Sequence, residues 1–342
     1  MEEKQPVILK TIRQRISDGT YPELLPTSRE LAEEFQVNIK TVNKALARLV
    51  ASGVIKRRRR LGTRITGDLH RETAANRLVE VVFEGFTTVF SHPFWADIWE
   101  GMVTRLSAAG FRAVLTPLES DPVTGLIKPE VPPFTPAAGR IVLGISEARI
   151  LDLIRATGTP FVTACDPVDD PTITQVTFDF APGIRDAVDF LAAAGGSRIA
   201  FVGQTRSLVN PGQLQKFNAY LAAVQRHTRI DPALIGDARP LRDSGAPALA
   251  AILDRATPDA LLAAYDHQLP ELLALLRERH LNIPVVGCDG VVRPGTPLRR
   301  HVVIAPRYRC GETAADLLIR KITSRRRVHS ETLPVEFHPA GF

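Results

Sequence analysis

The sequence of 342 residues predicts an α/β body of two doubly wound parallel-sheet lobes, preceded by a small α+β winged helix-turn-helix unit. Three observations carry this. Residues 24–64 hold two short amphipathic helix patterns around a tight turn, followed by a basic hairpin pattern. From residue 78 onward, β-rich apolar runs alternate with helix-length segments, the texture of βαβ units and parallel sheets. That alternation passes through two cycles, enough for two lobes with a crevice between them. The length exceeds one typical domain and suits two or three.

The first helix of the pair opens at Leu25-Pro26-Thr27-Ser28-Arg29-Glu30-Leu31-Ala32. Thr27 and Glu30 have capping-box spacing, so each side chain satisfies a free N–H at the helix start. Leu31 and Phe35 fall one turn apart on one face, and Gln36-Val37-Asn38 breaks the pattern. Asn38 caps a second helix, in which Val42, Ala45, Leu46 and Leu49 recur at i, i+3, i+4 and i+7. That stripe turns inward and leaves Lys40, Thr41, Asn43, Lys44 and Arg48 pointing outward. Past Ser52-Gly53, Val54 and Ile55 begin a strand, followed by Lys56-Arg57-Arg58-Arg59-Arg60, Gly62 at the tip, and Thr63-Arg64-Ile65. A polar, basic helix face fits a major groove, and a basic hairpin lies along phosphates or a minor groove. The cations supply salt-sensitive affinity by releasing phosphate counterions, and the helix face supplies base selectivity. A basic run alone describes many solvated surfaces; here it adjoins a capped helix pair and a glycine turn.

The polar stretch from Thr66 to Asn76 ends the hairpin, giving a unit at 1–66, a linker at 67–77 and a body at 78–342. First-cycle strands are expected at 78–83, 113–115, 141–143 and 161–164. The loop 87–95 leads into a helix carrying Ile98, Met102 and Leu106, while Pro and Gly crowd residues 121–139, which read as irregular surface. The second cycle has a strand at 176–179 and a helix with Ile184, Ala187, Val188 and Leu191. It continues with strands at 199–202, 261–264 and 285–287 and helices at 212–226 and 270–279. Ligands of such folds sit outside the carboxyl ends of strands. Those ends carry Ser91, His92, Pro93, Phe94 and Trp95; Cys165 and Asp166; Tyr265, Asp266 and His267; and Cys288 and Asp289. Carboxylates facing aromatic rings suit a sugar-like ligand, the acids accepting hydroxyl hydrogen bonds and the rings packing on C–H faces. One Asp at a strand end serves equally well as a turn former; several at equivalent ends point to a shared site.

The formal net charge is +6, and much of the excess falls in residues 56–64. Arg325-Arg326-Arg327 forms a second basic patch, read as a solvated turn. The three cysteines, Cys165, Cys288 and Cys310, are odd in number and widely spaced, with neither metal-ligand spacing nor a disulfide framework. Buried, reduced thiols of a cytoplasmic protein are expected, with no metal and no cofactor. Met1-Glu2-Glu3-Lys4-Gln5 lacks an apolar signal core, and no run of about 18 apolar residues occurs, so no membrane partner is expected. The chain has no Gly-x-x-x-x-Gly-Lys loop, no Gly-x-Ser-x-Gly elbow and no clustered His/Glu metal spacing, and an enzyme is not expected.

Residues 5–66 resemble the winged-helix domain of the GntR superfamily of bacterial transcription regulators. The resemblance rests on the leading helix through Ile16, Gly19-Thr20-Tyr21, the run from Leu25 to Ala32, Val37 to Leu46, Leu49, Gly53-Val54-Ile55 and Gly62-Thr63. It implies operator contacts from Arg29, Asn38, Lys40, Thr41, Asn43 and Gly62. With Lys44, Arg57, Arg58 and Arg59 from the outward faces, these are the expected DNA-binding residues. Ile39 stands where many relatives carry a basic residue. Residues 78–342 resemble the sensor domain of the lac and galactose repressor family, itself similar to periplasmic sugar-binding proteins. That match runs through Val176-Thr177-Phe178-Asp179, Ala194-Gly195-Gly196-Ser197-Arg198 to Gly203, Lys216-Phe217-Asn218-Ala219-Tyr220, Pro258 to Asp266, Ile283 to Gly290, and Pro306 with Gly311 to Leu318. By position it implies that His92, Phe94, Trp95, Lys216 and Asp289 hold the effector. Asp166, Tyr265 and Asp266 join them from the strand ends. Lys216 replaces the usual Arg, and Tyr265 replaces a common Asn.

A GntR-type head on such a sensor is similar to the arrangement in arabinose-repressor-type regulators. The expectation is a sequence-specific, homodimeric transcription regulator that represses carbohydrate-metabolism genes. Its partners are a double-stranded DNA operator and a small sugar-like effector bound between the lobes. Two-fold symmetric dimers match palindromic half-sites, and the effector acts by population shift, through its differential affinity for two states. The alternatives are a DNA-binding head fused to an enzymatic body or to a purely dimerising one, the latter favoured by an occluded crevice.

Overall fold

The computed structural model describes residues 4–17, 20–21, 23–51, 54–58, 62–65, 77–85, 92–121, 124–207, 214–239, 243–290, 301–323 and 327–340. The chain divides into two compact units, residues 1–78 and 79–342. The expected linker at 67–77 lies outside the described residues, apart from Arg77.

The first unit comprises α1 (Lys4–Ser17), β1 (Leu24–Leu25), α2 (Ser28–Glu34), α3 (Ile39–Ala51), β2 (Ile55–Arg58) and β3 (Gly62–Ile65). Ile8, Ile12 and Ile16, one per turn of α1, meet Leu31 of α2 and the Val42, Ala45, Leu46 and Leu49 stripe of α3 in a single buried cluster. The capping box forms: Thr27 N–H donates to Glu30 Oε2 at 2.7 Å, and Glu30 N–H donates to Thr27 Oγ1 at 3.3 Å. β2 and β3 make the expected antiparallel hairpin, pairing Ile55 with Ile65 and Arg58 with Gly62. One difference concerns Leu24 and Leu25, which pair with Arg64 and Thr63 as a third strand instead of simply leading into the helix. Leu25 precedes Pro26, whose ring disfavours helical backbone in the residue before it, and the extended chain buries Leu25.

The second unit holds two lobes. The first begins with β4 (Leu78–Glu84), α4 (Pro93–Ala108), β5 (Arg112–Leu118), β6 (Gly139–Leu143), α5 (Ala148–Ala156), β7 (Phe161–Cys165) and β8 (Gln175–Asp179). The second contains α6 (Ala181–Ala193), β9 (Ile199–Gly203), α7 (Gln215–Val224), β10 (Ile235–Asp237), α8 (Ala246–Leu253), β11 (Ala260–Ala263), α9 (Leu269–Glu278), β12 (Val285–Asp289) and β13 (His301–Ile304). The chain then returns to the first lobe as α10 (Arg307–Thr323) and β14 (Glu331–Pro334), and to the second as β15 (Glu336–His338). The sheet orders are β14-β8-β7-β6-β4-β5 and β10-β9-β11-β12-β13-β15. Strands from β14 to β4 and from β10 to β13 pair in parallel, and β15 joins antiparallel to β13. β7 and β9 are buried along their whole length, as parallel strands covered on both faces must be. The peptide chain thus passes between lobes three times: after β8, after β13 and after β14. Val335 N–H, in the last passage, donates to Asp179 O, in the first, at 3.1 Å.

The expected strands and helices all form, with edges displaced by a few residues. Phe94 and Trp95 lie in the first turn of α4 and not in a loop, because Pro93 at the helix start is preset for helical φ and His92 caps it. The elements α5, α8, β10, β13, β14 and β15 were not expected. The described residues between 121 and 138 are irregular, as expected, apart from a bridge between Ser120 and Ile127, and Gly139 already opens β6. What holds that segment down is a buried pair under it. Glu80 of β4 and Arg140 of β6 meet at 2.6 Å with side chains 0% and 3% exposed. Thr116 Oγ1 and Thr135 N–H donate to Glu80, each at 2.7 Å, while Arg140 donates to Thr157 Oγ1 at 2.8 Å and Thr135 O at 3.0 Å. Helices α4 and α10 cross in close contact. A Cβ on Gly101 would lie 2.1 Å from Tyr308 O, and one on Gly311 would lie 1.9 Å from Ile98 O. Ion pairs Asp97–Arg307 and Arg105–Asp316 flank the crossing.

Candidate nucleic-acid interface and effector site

In the first unit the expected DNA-binding residues occupy the start of α2, the first turns of α3 and the β2–β3 hairpin. Arg29 is exposed on α2. Asn38 Oδ1 accepts from Lys40 N–H at 2.9 Å, so this side chain serves as the helix cap. Lys40 and Lys44 are exposed and Thr41 half-buried. Asn43 behaves differently from its expected outward role: half-buried, its Oδ1 accepts from Ser28 Oγ at 3.0 Å and from Arg57 at 3.1 Å. Gly62 sits exposed at the hairpin turn with φ of +81°, a left-handed conformation that glycine adopts without strain. The backbone of Arg58 pairs with Gly62, and Arg59 lies outside the described residues. Ser28 went unread in the sequence, since its side-chain partners lie 15 and 29 residues away. Ile39, noted there in place of a basic residue, is the first residue of α3 and remains 42% exposed.

In the second unit the strand ends of both lobes converge. Lys216 of α7 forms an ion pair with Asp289 at the end of β12 and donates to Ala264 O at 2.8 Å. Its ammonium also lies 4.5 Å from the ring centroid of Tyr265 and 4.8 Å from that of Phe180. Burial raises the Tyr265 phenol, and the nearby carboxylates Asp289 and Asp166 reinforce the shift. Asp289 is buried, with φ of +98°. Its carbonyl accepts from Arg307, and Arg307 in turn clasps Asp97 through two nitrogens at 2.8 and 2.7 Å. His92 of the first lobe meets His267 of the second edge-on, ring centroids 5.2 Å apart, and His267 lies 5.8 Å from Tyr265. Burial, then the neighbouring His92, push His267 down to about 4.

These contacts bring together His92, Asp166, Lys216, Tyr265 and Asp289 of the expected set. Part of the polar capacity of His92 is used locally, because its Nδ1 accepts from Phe94 N–H at 3.3 Å. Phe94 and Trp95 stand in an aromatic file with Phe83, Phe178 and Phe180, centroids 5.0–6.2 Å apart. The Trp95 ring also fills the space beside Gly144, where a Cβ would come within 2.9 Å of it. Trp95 is therefore partly a wall of the first lobe. The Asp266 carboxylate rests over β12, occupying the place that a side chain on Gly287 would need. Asp97, Phe180 and Arg307 were missed. The last two lie on passages between lobes, whose destinations no local pattern reveals, though an Arg directly after Pro306 at a helix start was a readable cue. Among the described residues, no group of three or more His, Cys, Asp or Glu could hold a metal ion, and no helix is long and apolar enough to cross a membrane.

Residues 6–65 match the family described as bacterial regulatory proteins, gntR family, and residues 188–339 match the periplasmic binding protein-like domain. Fold and matches define the class: a DNA-binding transcription regulator, with a GntR-type helix-turn-helix domain ahead of a periplasmic-binding-protein-like domain. Among characterised proteins the chain is similar to the HTH-type transcriptional regulator CelR of Thermobifida fusca, at 29% identity over 263 residues, or 71% of this chain and 74% of the relative. The solved structure of a CelR–cellobiose complex superposes with a TM-score of 0.65 at 23% identity, covering 92% of this chain and 98% of that one. A LacI family regulator from Enterococcus faecium with bound ribose gives 0.62 at 17% identity, covering 77% and 97%.

Proposed function

We propose that this chain is a cytoplasmic, homodimeric repressor of carbohydrate genes, released from or fixed on its operator by a neutral sugar bound between the lobes. The observation that carries the reading is the Lys216–Asp289 pair set among the rings of Tyr265 and Phe180 where the strand ends of both lobes converge. An ammonium donates to hydroxyls, a carboxylate accepts from them, and the rings offer apolar faces to C–H groups. Within the pairs Lys216–Asp289 and Arg307–Asp97 the charges cancel, and an uncharged guest adds no further charge to be compensated. The relatives whose complexes contain cellobiose and ribose support the same ligand class.

The test is a thermal-shift screen of the full chain against mono- and disaccharides, beginning with cellobiose and ribose, followed by operator binding with and without each hit. A ligand at a hundredfold excess over Kd stabilises by about 2.7 kcal/mol, readily seen as a raised Tm. A sugar that raises Tm and alters operator affinity supports the reading. If no sugar does either, while the chain still binds DNA as a dimer, the purely dimerising body is the correct description.

A further inference from the structure

One polar arrangement in the first unit ties the basic hairpin to the starts of α2 and α3. Arg57 of β2 donates from one guanidinium nitrogen to Ser28 Oγ at 2.7 Å and to Asn43 Oδ1 at 3.1 Å. Ser28 and Asn43 are themselves bonded at 3.0 Å. The three residues come from three elements: the basic hairpin, the first residue of α2 and the second turn of α3. Both acceptors are neutral oxygens. Among the described residues no carboxylate pairs with Arg57, and the side chain is exposed. A guanidinium carries five N–H donors, so a grip on one nitrogen leaves others to point elsewhere. Two neutral oxygens thus fix the direction of the cation without cancelling its charge. A free arginine gives up rotamer freedom when it docks on a phosphate; one already held gives up less.

We propose that Ser28 and Asn43 are positioning residues that hold Arg57 as a preset phosphate contact, and that Asn43 does not read a base. This rests on the DNA-binding reading of the first unit. The competing roles differ in what they couple to. A base-reading Asn43 acts independently of Arg57 and sharpens sequence preference. A positioning Asn43 acts only while Arg57 is present and affects all sequences alike.

The experiment is a double-mutant cycle on the full-length protein. Fluorescence anisotropy follows two labelled duplexes across a KCl series: one selected by the wild-type protein from a random pool, and one of unrelated sequence. Arg57→Ala should lower the slope of log K against log salt by about 0.9, the value for one lost phosphate contact. Asn43→Ala should weaken both duplexes by about three- to tenfold and leave the salt slope unchanged, because the charge is retained. In the Arg57→Ala background, Asn43→Ala should cost nothing further. Ser28→Ala should behave as Asn43→Ala does, which separates positioning from any loss of folding peculiar to one variant, and melting curves of each variant check the fold. An Asn43→Ala effect of equal size in both backgrounds, or one confined to the selected duplex, overturns the proposal while leaving DNA binding intact. A wild-type protein that binds neither duplex overturns both readings.

Discussion

Asp289 shows how much a single position is held in place. Its φ of +98° is uncommon for a residue with a side chain and costs on the order of 1–3 kcal/mol. It persists because Arg307 grips the carbonyl and Lys216 the carboxylate. Asp289→Asn keeps shape and tolerance of this backbone but removes the counter-charge. Calorimetric titration with the sugar found by screening should show affinity reduced by about 10- to 100-fold, the equivalent of one charge-assisted hydrogen bond, with operator binding in the absence of sugar unchanged. His267 gives a pH dependence whose sign follows from its lowered pKa. Between about 4 and the ordinary 6.5 the unfolded chain binds a proton that the folded chain refuses. Stability is therefore full above pH 6.5 and falls as pH drops towards 4. His92 and Lys216 oppose protonation there, while Asp289 and Glu271 favour it. His301, also lowered by burial, acts in the same direction. Urea midpoints measured from pH 7.5 to 4.5 should fall for the wild type and fall less steeply for His267→Asn. A wild-type midpoint that does not change over this range would refute the account. Asp289 and His267 were legible in the sequence because strand ends can be read from apolar runs. Arg307 and Phe180 were not, because their positions depend on where the chain goes when it leaves a lobe.

At the scale of elements, periodic patterns did most of the predicting. The α3 stripe and the αβ alternation came from spacing alone, whereas the short β10, β14 and β15 have too few residues to show a period. The segment 121–139 was recognised as irregular, yet its anchor was invisible, since Glu80 and Arg140 are 60 residues apart in the chain. Removing one partner of a buried pair leaves an uncompensated charge, and Glu80→Ala should cost about 3–5 kcal/mol in urea unfolding. Replacing both residues with apolar ones of similar volume should recover much of that loss. The α4–α10 crossing makes a sharper demand. Gly101→Val places side-chain atoms where the Tyr308 carbonyl already lies, and overpacking of this kind should cost about 1–3 kcal/mol or more. A Gly101→Val protein as stable as the wild type would show that the two helices separate easily.

At the scale of the whole molecule, no core cluster among the described residues draws on both units: the first draws on residues 8–65, and the remaining clusters begin at Val79. Two cores that share no side chains should unfold as two units. Scanning calorimetry should resolve two transitions, and saturating sugar should raise only the one belonging to residues 79–342. A single transition that moves as a whole with sugar would mean that the units stabilise each other.

The three passages between lobes also set an order of events during synthesis. β14 pairs with β8 through Glu331 and Val176, and α10 packs on β6 and β7, so the first lobe is completed by residues beyond 306. The core of the first unit draws only on residues 8–65. A ribosome therefore releases a finished helix-turn-helix unit long before either lobe can close, and contacts spanning some 155 residues must then form late and slowly. During that interval the nascent chain carries a folded head and an unfinished regulator. A stop codon between residues 79 and 331 would leave the head's core complete and the lobes unfinished, so truncating mutations in that stretch should more often change regulation than abolish the protein's contact with DNA.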